Sequence, residues 1–336
     1  MSNILHITEA GGGVIEVIKN IIETDSKNQH QLLIRYRDFS SLGVESSDLE
    51  FDIHFWDGHL FKAIRKYKEI HRSKEIDIVH FHSSRAGLLR LLIYGPAKVY
   101  SPHCFAFERL DLAPFLRWIY RLAELILLRF TNGLLAVNSF EADWASKNSS
   151  TVKTSIYEFV ASPGDKIHDS KRIISVGRIC RQKNPEKFVQ IITSLRKIGL
   201  KLDAIWVGDG DWSKREILEN NGIQVTGWLH KDEVVQYLRN SRILLHTAEW
   251  EGMPVVFYEA WSIGLPIIAA QARYLHNING VTSFQSTVQA VELIELELKN
   301  ESKVQYKVIG KEIAFQKLQD FYNPQISKFR LAANEK

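Results

Sequence analysis

The chain has 336 residues, of which 45% are hydrophobic and 24% charged, with a formal net charge of +4; these are the proportions of soluble globular proteins and exclude a disordered chain or a coiled coil. The length suits two α/β domains of ordinary size. No apolar run reaches the roughly 18 residues of a membrane span and no cationic-then-apolar leader opens the chain, while the only cysteines, Cys104 and Cys180, lack metal-ligand spacing, so a reduced, cytoplasmic location without structural zinc is expected, with a lone disulfide left open.

In chain order, residues 3–7 read as a buried strand, followed by Gly11-Gly12-Gly13 and a helix over 14–22. Strands follow at 31–36, 77–82, 97–101 and 133–138. Between the last two, apolar residues at 115, 116, 119, 122, 123, 126, 127 and 130 have helical spacing. That stripe is expected to pack on the sheet, leaving Arg117, Arg121 and Arg129 on a basic face that grazes lipid or water. Charge is segregated: residues 1–61 hold 10 acidic against 4 basic groups, residues 62–130 hold 13 Lys or Arg against 6 Asp or Glu. Such a patch suits an anionic membrane, a phosphate-bearing substrate or simply a solvated face.

The second half restarts the rhythm, with strands at 172–176, 203–207, 224–226, 243–246 and 266–270 and helices at 185–198, 213–220, 231–240 and 254–263. Strands alternating with helices imply parallel sheets covered on both faces. The one good linker signal, residues 161–165, divides the chain into a first domain over 1–165 and a second over 166–336. The last helix, free to cross back to the first domain, meets a breaking or kinking signal at Tyr322-Asn323-Pro324. Doubly wound domains bind ligands outside the carboxyl ends of their strands, so the loops there carry the interest.

The most specific of these loops reads EWEGMPVVFYEAWSIG over residues 249–264. Pro254 suits the first position of a helix, and Gly252 lets backbone approach a ligand. The free amides from about Met253 through Val255 to Phe257 then favour a phosphate. Glu251 ahead of that helix and Glu259 inside it offer acceptors to hydroxyls on either side of a diphosphate. Charge near a helix start explains Glu251 alone, but not Glu259 on a helix that is otherwise apolar.

With this spacing, continuing through Gly264-Leu265-Pro266, the sequence resembles the retaining GT-B glycosyltransferases of family 4, bacterial surface-polysaccharide type. The resemblance implies two Rossmann-like doubly wound α/β domains facing across a cleft. It also implies a nucleoside diphosphate sugar, UDP-linked by family habit, as donor, and a glycan or polyprenyl-diphosphate-linked acceptor. Gly177-Arg178 and Lys183 follow a strand and place two cations near the diphosphate; the resemblance implies that they clamp it as it leaves. Gly12 and Gly13 form a nest for donor or acceptor contact or merely a tight turn. His103, stiffened by Pro102, is implied to touch the transferred sugar, whereas His80 and His82 read as satisfied structural residues. Arg85 and Arg109 are candidates for an anionic acceptor.

Asp209 and Asp211 make an Asp-x-Asp that in another transferase class holds a divalent metal, but the sequence reads more simply as a turn in which Asp211 caps a helix. No metal or cofactor is expected, and no nucleic acid; peripheral contact with the inner membrane is left open. Two readings from other classes stand beside this one. A catalytically silent sugar-nucleotide-binding subunit would keep Glu259, and a double-Rossmann dehydrogenase would need a dinucleotide fingerprint that neither half has.

Overall fold

The computed structural model describes residues 1–9, 11–35, 51–161, 171–299 and 309–334. It divides into one unit of Met1–Val160 with Ile309–Lys336 and a second of Ala161–Val308. Residues 162–165 of the expected linker, and Tyr36 at the end of the second expected strand, lie outside the described residues.

The first unit holds seven parallel strands: β1 (Asn3–Thr8), β2 (Gln29–Arg35), β3 (Asp52–Trp56), β4 (Ile78–His82), β5 (Ala97–Ser101), β6 (Gly133–Ala136) and β7 (Lys153–Ile156). Their order is β3-β2-β1-β4-β5-β6-β7. Helices α1 (Gly13–Thr24), α2 (Leu60–Ser73), the single turn α3 (Ser84–Gly87), α4 (Pro114–Leu128) and α5 (Ser139–Asn148) connect them. Leu5, Ile7, Val79 and Phe81 face one core, and Ile15, Ile18, Leu32 and Ile34 form another. Because side chains alternate along a strand, His6, His80 and His82 point away from the first of these cores. Strands β3 and β7 and helices α2 and α5 are additions to the sequence reading; both strands are short and polar at alternate positions, so they lack the apolar run that marks a buried parallel strand.

Helix α4 departs from expectation. Of its residues only Glu124, Leu127 and Leu128 are buried, while Phe115 is 67%, Trp118 57% and Ile126 53% exposed. Most of the apolar stripe is therefore not core, although Leu127 is buried and Leu128 joins the first core. A polar group fixes the helix as well: buried Glu124 accepts from Arg90 at 2.8 Å and from the Tyr100 hydroxyl at 2.9 Å, and the Arg90 guanidinium lies over the Tyr100 ring.

The final helix, Lys311–Asn334, runs through Pro324, so of the two expected effects of that residue, a break or a kink, the break does not occur. Proline removes the amide that the Asp320 carbonyl would accept, and Lys153 Nζ donates to that carbonyl instead. This helix packs on the first unit, where a Cβ on Gly133 would come within 2.8 Å of the Phe321 ring.

The second unit is a six-stranded parallel sheet of β8 (Arg172–Val176), β9 (Asp203–Val207), β10 (Gln224–Val225), β11 (Ile243–His246), β12 (Ile267–Ala270) and β13 (Thr282–Phe284). Its order is β10-β9-β8-β11-β12-β13. The helices are α6 (Pro185–Lys197), α7 (Trp212–Asn220), α8 (Lys231–Arg239), α9 (Val255–Ser262) and α10 (Thr287–Lys299), with the final helix of the chain as α11. Strand order reverses between β8 and β11, and between β1 and β4 in the first unit. Such switch points open crevices at the carboxyl ends of the strands.

Candidate functional site

In the second unit the loops after β8 and β11 are stitched together. Glu249 N donates to Gln182 O at 2.9 Å. Gln182 Nε2 donates to Trp250 O at 2.8 Å, Asn184 Nδ2 to Glu249 Oε1 at 3.0 Å and Thr247 Oγ1 to Lys183 O at 2.8 Å. Asn184, in the left-handed region with φ 49°, also caps α6 by accepting from Lys187 N. These bonds fix both loop backbones, and Lys183 Nζ meets Glu251 Oε1 at 2.6 Å with both side chains about 15% exposed. A cation and an acid that the sequence assigned to different parts of a ligand are thus already paired.

Three glycine contacts make room for this. The Lys183 stem lies across Gly177, where a Cβ would stand 2.8 Å from Cε. Gly208 and Gly210 bring a second chain segment against the same loop: a Cβ on them would stand 2.3 Å from Gly177 O and 2.2 Å from Ile179 O. The carboxylates between them have local partners. Asp209 pairs with Arg215 at 2.9 Å, and Asp211 caps α7, accepting from Ser213 Oγ at 2.6 Å and from Lys214 N. Arg178, on the same loop as Lys183, is exposed.

Helix α9 begins at Val255, one residue later than expected; Pro254 is its N-cap, with ψ 121°. The Pro254 carbonyl accepts from Phe257 N at 3.0 Å, so the run of open amides is shorter than expected. Those of Met253, Val255 and Val256 have no acceptor among the described residues. Gly252 and Pro254 are buried beneath them, and Glu251 and Glu259 are both partly exposed, neither being turned into the core. A half-buried lysine, an exposed arginine and bare amides at one helix start form an arrangement suited to a diphosphate.

The sequence reading missed His246 and Tyr274. His246 ends β11, buried against Phe257 and Tyr274 at ring-centroid distances of 4.9 and 6.3 Å. Burial and then the Lys183 charge hold its pKa well below the ordinary value. Tyr274 comes from the loop after β12, and burial and then the Glu251 charge push its pKa well up. A histidine at the carboxyl end of a switch-point strand was the available signal.

In the first unit Gly12 caps α1 with φ 59° and ψ −129°, open to solvent like Gly13. Only glycine adopts that conformation without strain. His103 and Cys104 are both in the positive-φ region, at 52° and 89°. Glu141, buried at the start of α5, anchors this turn: its two oxygens accept from Cys104 N at 2.7 Å and Val137 N at 3.0 Å. His103 is partly exposed, and burial pushes its pKa down to about 3. Of the two acceptor candidates, Arg85 lies 3.5 Å from Glu9, and Arg109 forms two bonds to Asp111 at 3.1 and 2.7 Å; each has a carboxylate beside it.

Residues 160–283 match the family described as Glycosyl transferases group 1. The chain is 26% identical over 338 residues to an uncharacterized 41.2 kDa protein in the cps region of Klebsiella pneumoniae, covering 87% of this chain and 89% of that one. It is 28% identical to the Escherichia coli UDP-Gal:alpha-D-GlcNAc-diphosphoundecaprenol alpha-1,3-galactosyltransferase, over 66% of this chain and 61% of that one. Among solved structures, a sucrose-phosphate synthase from Thermosynechococcus elongatus superposes with a TM-score of 0.74 at 13% identity, over 100% of this chain and 99% of that one. The Anabaena HepE protein in complex with UDP-glucose gives 0.68 at 14% identity, over 100% of both.

Proposed function

We propose that this chain, which has the GT-B fold and matches the group 1 glycosyl transferases over residues 160–283, is a retaining, metal-independent hexosyl- or N-acetylhexosaminyltransferase of family 4. It takes its sugar from a UDP-linked donor and passes it to a glycan or polyprenyl-diphosphate-linked acceptor in bacterial surface polysaccharide synthesis. The observation that carries the reading is the Lys183–Glu251 pair at 2.6 Å on a loop stitched to the one that leads into the bare amides of α9.

When a diphosphate arrives, Lys183 turns from Glu251 to the phosphate oxygens. Glu251 is then released to accept from a sugar hydroxyl. Arg178 and the amides of Val255 and Val256 share the charge that grows on the leaving diphosphate, the electrostatic term that commonly dominates catalysis. Glu259 accepts from the ribose hydroxyls. The acceptor proton goes to the departing phosphate, so no separate base is required, and two cations with a helix start supply the neutralisation that a metal would. His103 contacts a hydroxyl of the transferred sugar. A lipid-linked acceptor is favoured by the name of the E. coli relative and by the exposed apolar and basic face of α4.

Lys183→Ala separates an enzyme from a silent sugar-nucleotide-binding subunit. Removing one such preorganised donor lowers kcat by roughly 10²–10³-fold, so donor hydrolysis should fall by about that factor; equal rates in the two proteins would leave only the silent subunit. A thermal-shift series with UDP-, GDP- and dTDP-sugars identifies the base, since a ligand at 100 times its Kd adds about 2.7 kcal/mol of stability.

A further inference from the structure

Beneath His103 lies a file of imidazoles drawn from three parallel strands. His103 Nε2 is 2.8 Å from His82 Nδ1, His82 Nε2 is 2.9 Å from His6 Nδ1, and His6 Nε2 is 2.9 Å from His30 Nδ1. His30 Nε2 in turn stands 3.3 Å from Asp25 Oδ2, a longer, chiefly electrostatic contact. Every link runs in the same sense, from an Nε2 to the next Nδ1. His6, His30 and His82 are buried, as is Asp25.

A neutral imidazole has one N–H and one bare lone pair. In such a file the choice made at one end is therefore imposed on every ring. Asp25 makes that choice. Burial opposes its ionisation, but the His30 ring beside it and hydrogen bonds from Asn28 and the Lys27 amide bring its pKa below the usual carboxylate value. A carboxylate only accepts, so a bare lone pair on His30 Nε2 would face it in repulsion and the proton must sit there. His30 Nδ1 is then the acceptor for His6, His6 for His82, and His82 for His103. His6, His82 and His103 are neutral because burial holds them well below the ordinary histidine pKa.

We propose that Asp25, His30, His6 and His82 form a buried positioning relay that locks His103 in its Nε2–H tautomer and leaves Nδ1 as a bare acceptor. His103 Nδ1 has no hydrogen-bond partner among the described residues, so it is available to a hydroxyl group. Its use on a sugar rests on the transferase reading; the tautomer itself does not.

A metal centre is the competing account, since ring nitrogens of His6, His80 and His82 lie within 4.8 Å of one another. All six of those nitrogens are already hydrogen-bonded. His80 Nε2 meets Ser101 Oγ at 2.8 Å, and His80 Nδ1 meets the Tyr322 hydroxyl at 2.9 Å. Because the Ser101 hydroxyl donates to Leu135 O, His80 must donate to Ser101 and accept from Tyr322. A metal would break one of these bonds at each ring.

The test is a long-range proton–nitrogen correlation spectrum of the full chain with ¹⁵N-labelled histidine at neutral pH. The wild-type spectrum alone decides: His6, His30, His82 and His103 should each show a single Nε2–H tautomer. A proton on His103 Nδ1, a cationic His103, or a mixture at any of the four overturns the relay. The remote variants His30→Leu and His30→Gln add a readout that plain packing would not move. Leucine removes the acceptor for His6 and should leave His103 in mixed tautomers, whereas the glutamine carbonyl replaces that acceptor and should restore one. Signals of His6, His80 and His82 that shift together on adding Zn²⁺ and return with a chelator would replace the relay with a metal centre. Loss of transferase activity does not enter any of these readings.

Discussion

At the scale of single residues, the close approach of Gly208 to Gly177 in the second unit leaves no space for a side chain. A Cβ on Gly208 would stand 2.3 Å from the Gly177 carbonyl oxygen and 2.9 Å from its carbon, both backbone atoms that no rotamer change can move. Gly208→Ala must therefore push the 177–184 loop, which carries Arg178 and Lys183. Overpacking of this kind costs about 1–3 kcal/mol, so a lower urea midpoint with an unchanged slope is expected, accompanied by weaker UDP-sugar binding. Unchanged stability and binding would mean that the two strands' loops slide freely and that the close approach matters to neither.

Other residues show where local reasoning reaches its limit. Glu251, Glu259 and Pro254 were legible because one short helix start carries them all, within a spacing that sequence records directly. Lys183 was legible as a cation but not as the partner of Glu251, since that pairing depends on bonds donated by the Gln182 and Asn184 side chains to a loop more than 60 residues on. His6, His30 and His82 sit on three different strands. Only the parallel register, with His6 opposite His80 and Thr8 opposite His82, brings them into one file, and register is not written in any one segment.

At the scale of elements, α4 is the segment whose sequence and structure disagree most. Its heptad-like apolar spacing predicted burial, yet a buried Arg90–Glu124 pair at 2.8 Å holds the helix, and Phe115, Trp118, Ile119, Leu122 and Ile126 face solvent. Arg121 and Arg129 are exposed among them. Aromatic and aliphatic side chains interleaved with arginine match the interface of an anionic bilayer, the surface on which a polyprenyl-linked acceptor would reside. Each exposed arginine is worth about 1 kcal/mol at such a surface, or roughly fivefold in partition. Sedimentation with phosphatidylglycerol-rich vesicles should then show Arg121→Glu and Arg129→Glu each weakening binding by at least that factor. Phe115→Ser with Trp118→Ser should abolish most of the rest, leaving donor hydrolysis intact. Binding that is indifferent to all four changes, or a concentration-dependent dimer lost in the serine variant, would assign this face to something other than lipid.

For the whole molecule, the buried histidines make the two units unequal toward acid. Burial holds His6, His80, His82 and His103 below the ordinary histidine pKa of about 6.5, so the unfolded first unit binds protons that the folded one refuses. Stability conferred by a depressed histidine pKa is complete above the unfolded value and is lost as pH falls below it. For His103 that window runs from about 6.5 down to about 3. Each such proton contributes about 1.4 kcal/mol per pH unit, so four histidines acting together give a slope of about 5 kcal/mol per pH unit well below pH 6.5, reduced to about 4 kcal/mol per pH unit while Glu141, raised by burial to about 7, holds a proton in the folded state that the unfolded chain binds only near its ordinary value of 4.5. Against a typical total of about 5–15 kcal/mol, the first unit should open within about one to three units below pH 6. Among its described residues the second unit carries one such histidine, His246, and loses stability along a much shallower slope. Hydrogen exchange read by mass spectrometry at stepped pH should show peptides of β1, β4 and α11 exchanging cooperatively while those of β8 and β11 remain protected. Simultaneous exchange of both sets would mean that the two units are equally sensitive to acid, and protection of β1 and β4 persisting to pH 3 would mean that the histidine file accepts protons in the folded state.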